Sequence, residues 1–249
     1  MAHEVHIAGL AKTYGSQRVL GPLDLHLEAG TITVVIGRSG CGKSTLLRCL
    51  GGLEKPDAGS IRIGAGQLRR EDIGYVFQEP RLMPWLTVSR NVAFGLRGHP
   101  ARDDRVAEAL AIVGLQQAAS LLPKQLSGGM AQRAALARAL APKPELILLD
   151  EPFSALDPFS RESLQQHLLH LYRHYRTTMV LITHDMDEAL TLGDRILVMQ
   201  GPPGKIVADL SRHDTKARLR EALEPGGRGS PGPQARAERP QTPLRARAL

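Results

Sequence analysis

A glycine-rich run at residues 37–45 has the residue types and the spacing that bind phosphate groups. It reads Gly-Arg-Ser-Gly-Cys-Gly-Lys-Ser-Thr, follows an apolar stretch at residues 31–36 and precedes Leu-Leu-Arg-Cys-Leu at residues 46–50. A strand, a glycine loop and a helix in this order match the phosphate-binding loop (P-loop) pattern G-x-x-x-x-G-K-[ST]. The glycines let backbone N–H groups face phosphate oxygens, and the helix N-terminus adds positive partial charge. The run therefore predicts binding of a nucleoside triphosphate.

Positions within this P-loop have distinct predicted roles. Lys43 can reach the β- and γ-phosphates, and the Ser44 hydroxyl can bind Mg²⁺. The predicted nucleotide-binding residues of the loop are Gly37, Arg38, Ser39, Gly40, Cys41, Gly42, Lys43, Ser44 and Thr45. The alternative, an ordinary glycine turn before a helix, is disfavoured by the flanking strand and helix. The loop alone does not separate GTPases, kinases and transport ATPases.

Two acidic residues, Asp150 and Glu151, directly follow the apolar run at residues 146–149. The carboxyl end of a buried strand is where open α/β sheets bind their ligands. Asp150 suits the Mg²⁺ shell opposite Ser44, and Glu151 can polarise the attacking water. Two acids in a solvated turn are the alternative, which the P-loop in the same chain disfavours.

A second candidate phosphate-binding motif comprises Ser127, Gly128 and Gly129, directly before a predicted helix at residues 130–141. Ser127 can cap that helix, and the two glycines allow an anion to approach the backbone closely. Such a motif alone is more typical of a turn. Its occurrence together with a P-loop and an acidic strand end favours nucleotide binding.

The order of apolar and helical segments predicts the fold class. Strands are predicted at residues 4–7, 23–27, 31–36, 61–63, 73–77, 146–149, 179–183 and 196–199, and helices at residues 105–113, 130–141 and 158–175. Asp157 is a suitable N-cap, and Pro158 a suitable first residue, for the last helix. Buried strands alternating with helices predict an α/β fold with a mainly parallel sheet and helices on both faces. Residues 87–142 are then a helical subdomain inserted in that core.

The composition limits the class of protein. The chain has 249 residues, 42% of them hydrophobic, as expected for one or two globular units. Its longest apolar runs fall far short of the ~20 residues that a membrane-spanning helix needs, and residues 1–6 lack the pattern of a secretory signal. The two cysteines, Cys41 and Cys49, are expected to be reduced thiols of a cytosolic protein, and no Cys/His spacing is typical of zinc.

Charge and low-complexity sequence concentrate at the C-terminus. The formal net charge is +7, and residues 225–249 hold five arginines and one glutamate among prolines and glycines. We expect this tail to be disordered, with a weak contact to a membrane surface as the alternative to a functionless segment. The remaining residues 1–224 are only mildly basic and have no aromatic-interleaved basic patch, so no nucleic acid is expected as a partner. His167, His170 and His174 share one side of the predicted helix 158–175, and a wet helix face is favoured over a metal site there.

Taken together, the motifs resemble those of the ATP-binding-cassette (ABC) ATPases, over about residues 4–210. Residues 126–130 resemble the family's signature loop, with Met130 where glutamine is commoner. The tetrapeptide at residues 154–157, Ser-Ala-Leu-Asp, resembles the D-loop. Gln78 matches the Q-loop glutamine, His184 the switch histidine, and Tyr14 the aromatic residue that stacks on adenine. Together with the P-loop and the acidic strand end, these motifs occur in the family's order, which makes coincidence implausible.

This resemblance implies a RecA-like P-loop NTPase core with antiparallel N-terminal strands, and a dimer that sandwiches ATP. ATP lies between the P-loop of one subunit and residues 127–129 of the other. In this scheme Glu151 is the catalytic base, His184 contacts the γ-phosphate, and Gln78 senses Mg²⁺ and the attacking water. Asp157 communicates across the dimer. Loss of the γ-phosphate removes the charge that bridges the two halves.

Residues 77–88 and 203–207 resemble the ATPases of the nitrate, sulfonate and taurine importer group. Leu82, Met83 and Trp85 predict a stiff apolar surface for a membrane permease, with a core position for Trp85 as the alternative. The resemblance implies a homodimer or a paired ATPase subunit, permease subunits and, indirectly, a periplasmic solute-binding protein. It implies a peripheral location on the cytoplasmic face of the inner membrane. An exporter or lipid-extraction ATPase, or an ABC ATPase without transport, is the alternative.

Overall fold

The computed structural model describes residues 3–64, 72–96, 98–154, 156–214 and 216–224. The predicted disordered tail at residues 225–249 and the D-loop's Ala155 lie outside the described residues. The strands within them are β1 (Val5–Tyr14), β2 (Gln17–Leu27), β3 (Ile32–Ile36), β4 (Ala58–Ile63), β5 (Ile73–Val76), β6 (Leu146–Asp150), β7 (Thr178–Thr183), β8 (Arg195–Gln200) and β9 (Lys205–Ser211). The helices are α1 (Lys43–Leu50), α2 (Val88–Val92), α3 (Arg102–Ile112), α4 (Gly128–Leu140), α5 (Pro158–Tyr175), α6 (Met186–Leu192) and α7 (Lys216–Leu223).

A six-stranded sheet with the strand order β5-β6-β7-β3-β8-β9 forms the centre of the fold. Its first five strands are parallel, and β9 pairs antiparallel with β8 at the edge. The predicted mainly parallel α/β fold is therefore confirmed. Strand β9 and helices α6 and α7 have no counterpart among the predicted elements. Only two residues of β9, Ala208 and Leu210, are buried, so its apolar alternation is too weak to identify it in the sequence.

Alternate residues of the central strands divide the core into two layers, because successive side chains point to opposite faces of a sheet. Val35, Leu148 and Ile182 pack with α1 and the N-terminal strands. Val34, Leu149 and Leu181 pack with helices α2–α7. Among the described residues, helices α2–α7 cover one face of the sheet, whereas on the other face the prediction of helices on both faces holds only for α1.

The N-terminal strands form a separate antiparallel sheet with the order β2-β1-β4. Both β1 and β2 are longer than the predicted segments at residues 4–7 and 23–27. Register shifts interrupt the β1–β2 pairing between Ile7 and Tyr14, and one lies beside Gly9, whose φ is 59°. Such bulges break the apolar alternation on which the prediction rests. The extra length places Tyr14 at the far end of β1.

Between β5 and β6 the regular structure is helical, comprising α2, α3, α4 and short 3₁₀ turns. Helix α4 lies against the edge strand β5, with α2 and α3 beside it. Gly74 makes this contact possible, since a Cβ there would lie 2.7 Å from the Ala139 carbonyl oxygen of α4. Ser127 caps α4 and Thr87 caps α2 through their side chains.

A buried asparagine organises the segment that joins β5 to α2. Asn91 is fully buried, and its amide nitrogen donates hydrogen bonds to the carbonyl oxygens of Met83 (3.2 Å), Leu86 (3.0 Å) and Thr87 (3.1 Å). Its oxygen accepts from the Met83 N–H at 2.7 Å. Trp85 belongs to this segment, and 72% of its surface is exposed. The alternative that Trp85 is a core residue is therefore wrong.

We expect Asn91→Ala to destabilise the protein by about 2–4 kcal/mol, because it leaves the half-buried Met83 N–H and several carbonyl groups without the partners that Asn91 supplies. Urea unfolding measures the loss. Trp85 is the sole tryptophan, so its fluorescence anisotropy reports the loop directly, and we expect it to fall in the variant. Arg90→Ala, at an exposed neighbouring position, is the control. Unchanged stability and anisotropy in Asn91→Ala would contradict this role.

Candidate nucleotide-binding site

The P-loop connects the end of β3 to the start of α1, and its glycines are required by close packing and by backbone conformation. A Cβ on Gly37 would lie 2.2 Å from the Met199 carbonyl oxygen of β8. Gly40 and Gly42 have φ values of 80° and 105°, in the left-handed region that favours glycine. Gly42 immediately precedes α1, so the free N–H groups of the first helical turn begin at the loop.

Lys43 is only 5% exposed, and its ammonium group folds back over the loop. The Nζ atom donates hydrogen bonds to the carbonyl oxygens of Gly37 (2.7 Å) and Arg38 (3.1 Å). Arg38, Ser39 and Gly40 form the exposed outer side of the loop, whereas Cys41 and Thr45 are buried. Burial raises the pKa of the Cys41 thiol, which keeps it protonated and unreactive at neutral pH.

Ser44 and Asp150 lie next to each other although 106 residues separate them. The Ser44 hydroxyl donates a hydrogen bond to Asp150 Oδ1 at 3.0 Å, and the Tyr75 hydroxyl lies 3.4 Å from Asp150 Oδ2. A hydroxyl and a carboxylate oxygen at this spacing fit Mg²⁺, which binds hard oxygen ligands. Burial, together with the negative charge of Asp150, raises the pKa of Tyr75, so Tyr75 remains a neutral donor beside this carboxylate.

Glu151 and His184 are brought into direct contact. The Nδ1 atom of His184 lies 3.0 Å from Oε2 of Glu151. Glu151 has a left-handed backbone with φ 44°, which is uncommon for a residue other than glycine, and its N–H donates to the Ile182 carbonyl oxygen at 3.1 Å. The backbone N–H and the side-chain hydroxyl of Ser154 both donate hydrogen bonds to the Glu151 carbonyl oxygen. These backbone contacts aim the carboxylate at the loop that follows β7.

A polar cavity of about 40 Å³ lies behind this pair and is large enough for a water molecule. Arg161 of α5 and Glu188 of α6 line its inner side. The guanidinium lies 3.6 Å from Asp185 and 3.8 Å from Glu188, and the Thr183 hydroxyl donates to Glu188 at 2.5 Å. Glu188 is 6% exposed, and burial is the main cause that raises its pKa. The strand end that precedes His184 is thereby held by a charged network in which Glu188 is buried and Arg161 and Asp185 are half-buried.

The other residues of the predicted site have no hydrogen bond to this centre among the described residues. Gln78 is exposed just after β5, and within the described residues its side chain has no hydrogen-bond partner. Ser127, Gly128 and Gly129 begin α4 beside the edge strand β5, and no hydrogen bond among the described residues joins them to the P-loop. The Tyr14 ring is half exposed, its hydroxyl contacts Glu54, and Lys12 lies over the ring at 5.4 Å.

Tyr75, Arg161 and Glu188 were not predicted as site residues. Tyr75 sits inside an apolar strand, and its contact with Asp150 depends on the pairing of β5 with β6. Glu188 lies in the first turn of α6, whose N-cap Asp185 directly follows His184. Of the three helix histidines, His167 is half-buried and bonds the Ser163 carbonyl oxygen at 2.6 Å, His170 is exposed, and the side chain of His174 lies outside the described set.

The sheet is mainly parallel, a P-loop follows its central strand, and a Ser–Asp pair that suits Mg²⁺ lies beside the loop. These features define the class of P-loop NTPases. A family profile described as ABC transporter matches residues 20–154. The chain therefore belongs to the ABC transporter family, and it is an ATPase of that family. This confirms the resemblance that the motifs indicate. No described helix has the length and hydrophobicity of a membrane span.

Named relatives and solved structures are consistent with this assignment. The chain is 49% identical over 228 residues to the aliphatic sulfonates import ATP-binding protein SsuB 1 of Xanthomonas axonopodis pv. citri, over 89% of this chain and 90% of that protein. A protein of the same name from Pseudomonas aeruginosa is 47% identical, over 86% and 89%.

Among solved structures, a dimeric ATP-binding cassette in a post-hydrolysis state with ADP and Pi is 34% identical, with a TM-score of 0.74 over 85% of this chain and 100% of that one. The cbiO1 protein of Clostridium perfringens, part of the ABC transporter complex cbiONQ, is 26% identical with a TM-score of 0.77, over 85% and 90%.

We expect Arg161→Met to destabilise the protein more near pH 8 than near pH 5. Burial raises the folded-state pKa of Glu188 above the ordinary value of 4.5. The stabilisation that comes from protonated Glu188 is therefore complete below pH 4.5 and is lost as the pH rises through the folded-state pKa. The positive charge of Arg161 lowers this pKa, and the charge of Asp185 raises it. Without Arg161 the folded-state pKa of Glu188 is higher still, so the loss of stability continues to a higher pH.

Urea unfolding of the wild type and Arg161→Met at both pH values measures this difference. The matched control introduces Arg161→Met into a Glu188→Gln background, where the gap in stability should no longer depend on pH. A gap in the wild-type background that stays the same at both pH values would show that Arg161 and Glu188 are not coupled.

Proposed function

We propose that this ABC ATPase energises the import of aliphatic sulfonates by hydrolysing ATP. The contact between Glu151 and His184 is the observation that carries the catalytic part of the proposal, because it joins a base to a group that can reach the γ-phosphate. The names of its relatives, which are import ATP-binding proteins for aliphatic sulfonates, support the substrate class. Nitrate, taurine and similar small anions are the neighbouring possibilities within the same group.

In the proposed mechanism, the P-loop amides and Lys43 hold the β- and γ-phosphates, and Tyr14 stacks on adenine. Lys43 exchanges its two carbonyl partners for phosphate oxygens, which offer the ammonium a stronger, charge-assisted bond. Ser44 and Asp150, together with Gln78, would hold Mg²⁺, which neutralises charge on the phosphates. Thr45 and the outer residues of the loop complete the cradle.

Glu151 acts on the attacking water. Its carboxylate accepts a hydrogen bond from the water and takes its proton as the water oxygen bonds to the γ-phosphorus. The bond from phosphorus to the β–γ bridging oxygen breaks, and ADP leaves with that electron pair. His184 orients the carboxylate through Nδ1 and presents its other ring nitrogen to the γ-phosphate.

The complete site requires two chains. Ser127 and Gly128 are exposed at the start of α4, and among the described residues no hydrogen bond joins residues 127–129 to the P-loop of the same chain. In the proposed dimer they supply the second phosphate-binding face to the partner, and Asp157 lies close to the junction. The partner is a second copy or a paralogous ATPase subunit. Separation follows hydrolysis, since the bridging phosphate charge is then lost.

The proposed membrane partner is a permease that docks on residues 77–88. Trp85 is exposed there on a loop that Asn91 holds by four hydrogen bonds, and exposed aromatic residues on a stiff support are typical of interfaces. The chain is then peripheral to the cytoplasmic face of the inner membrane. A periplasmic binding protein delivers the sulfonate to the permease from the other side.

We expect Glu151→Gln to bind ATP with near wild-type affinity but to lose at least about 10²-fold in turnover, because an amide cannot accept the proton. ATP should then hold the variant as a dimer. Phosphate release, together with size-exclusion chromatography with and without Mg-ATP, measures both effects.

The matched control for Glu151→Gln is Lys43→Ala, which should lose nucleotide affinity in calorimetry and show no ATP-dependent dimer. Phosphate release by Glu151→Gln near the wild-type rate would refute the base role. Unchanged affinity in Lys43→Ala would refute the proposed role of the lysine.

The transport role is tested by co-expressing the chain with its genomic permease and purifying through the permease. We expect the ATPase to co-purify, and the complex in proteoliposomes to take up alkanesulfonate only with ATP and the binding protein. Trp85→Ala should weaken co-purification while leaving nucleotide binding unchanged, with Phe159→Ala, another exposed aromatic residue, as the control. ATP-driven uptake of a different solute with no sulfonate uptake would overturn the substrate assignment but not the ATPase assignment.

A further inference from the structure

Three metal-ligating side chains meet on the antiparallel sheet, outside the nucleotide site. Glu4 and His6 lie two residues apart at the start of β1, and the register pairs His6 directly with His26 of β2. Alternation along β1 and pairing across to β2 put all three side chains on one face of the sheet. They are 51%, 41% and 32% exposed, respectively, so solvent ions can reach them.

The three groups converge on a small volume. One carboxylate oxygen of Glu4 lies 3.0 Å from His6 Nε2, and the other lies 3.0 Å from His26 Nε2. The two imidazole rings stack with their centroids 4.4 Å apart. One ligand atom from each of the three residues lies within 4.8 Å of the other two. Ligand atoms of a tetrahedral zinc lie about 3.3–3.5 Å apart, so small side-chain rotations suffice to bind an ion.

We propose that Glu4, His6 and His26 form a surface binding site for a divalent transition-metal ion, of which Zn²⁺ is the best match. Two imidazole nitrogens and one carboxylate oxygen are a ligand set that zinc takes, with water in the fourth position. Mg²⁺ is a poor match because it prefers oxygen ligands in octahedral geometry.

The resting hydrogen bonds explain how the ion enters. At 3.0 Å from a carboxylate oxygen, each Nε2 carries a hydrogen that it donates to Glu4. The two imidazoles hold the pKa of Glu4 below its ordinary value, so the carboxylate is already ionised. Zn²⁺ takes the place of the hydrogen on each Nε2; a neutral ring then carries its hydrogen on Nδ1, and a doubly protonated ring releases one proton to solvent. Because the ligand atoms must be free of protons to bind the ion, binding weakens as the pH is lowered.

Charged neighbours of the site come from all the strands around it. Arg62 of β4 pairs with His6 and opposes a cation, but it is exposed and free to turn toward solvent. Asp24 and Glu28 flank His26 along the chain and favour a cation. Arg195 of β8 bonds the backbone carbonyl of His26 while its charge is paired with Asp209. No buried charge has to be moved for the ion to bind.

The bound ion would join β1 to β2 at the end of the sheet opposite Tyr14. At roughly 3.3 Å per residue, β1 separates His6 from Tyr14 by about 26 Å, so the two sites are distinct. A ligand that binds only the folded state stabilises it by mass action. The expected consequence is a zinc-dependent rise in thermal stability that requires neither nucleotide nor a partner.

The test is a titration of the full chain, free of any histidine tag and nucleotide, with Zn²⁺ in millimolar Mg²⁺ at about pH 7.5. We expect saturable uptake of one Zn²⁺ per chain by calorimetry, with an accompanying rise in melting temperature. His26→Gln and His6→Gln should each weaken uptake by at least about tenfold, since loss of a direct ligand costs no less than loss of an outer-shell partner. Lowering the pH to about 5.5 should weaken uptake, because metal ligands must be free of protons to bind the ion.

His170→Gln on α5 and His213→Gln, both at exposed histidines, are the matched controls and should bind Zn²⁺ as the wild type does. Glu4→Gln removes the carboxylate with no change in shape and should weaken uptake as well. Co²⁺ in place of Zn²⁺ gives a visible absorption band, whose loss in His26→Gln identifies a nitrogen ligand independently of stability. Absence of Zn²⁺ uptake by the wild type, or uptake abolished by His170→Gln and not by His26→Gln, would overturn the proposal.

Discussion

The in-register ends of three parallel strands are the constraint on which the candidate site depends. Ile36 of β3 pairs with Thr183 of β7, and Ile182 of β7 pairs with Asp150 of β6. The chain leaves these strands at the same edge, so the P-loop, the acidic pair and His184 start from neighbouring positions. A slip of one residue in either pairing would turn each side chain to the opposite face and separate Glu151 from His184. The apolar side chains that alternate between the two core layers specify this register.

The parts of the fold that could be predicted from the sequence are those whose signals are local. The helix Pro158–Tyr175 has its N-cap and first-turn proline as expected, and Leu164, Leu168 and Leu171 form its buried stripe. The central strands are short apolar runs before glycine or acidic residues. The long β1 and β2 were only partly found, because bulges interrupt their alternation. The edge strand β9 was missed since pairing with β8, more than its own composition, makes it a strand.

The same division holds for the site. Motif spacing predicts roles for Lys43, Ser44, Asp150 and Glu151, because each predicted role depends on a residue type at a short distance from a glycine loop or a strand end. The contacts of Tyr75 with Asp150, and of Arg161 with Glu188, depend on how distant elements pack, and no local pattern encodes them. The His6–His26 pair is of the same kind. It arises from antiparallel pairing between residues 20 positions apart, a separation that no short zinc motif spans.

Helix α4 links the two surfaces that the proposed transporter uses. Its N-terminus carries residues 127–129, which face the partner's ATP in the proposed dimer. Further along the helix, Gln132 donates to the Phe77 carbonyl oxygen at 3.1 Å, and Arg138 donates to the carbonyls of Pro80 (2.9 Å) and Arg81 (2.7 Å).

These bonds fasten the loop that presents Trp85 to the same rigid body that carries the second phosphate-binding motif. Packed helices and strands transmit displacement rather than absorb it, because the interior has few voids. Opening of the ATP sandwich would therefore move α4 and the Trp85 loop together. A permease bound at that loop would therefore move in response to the loss of the γ-phosphate without contacting the nucleotide.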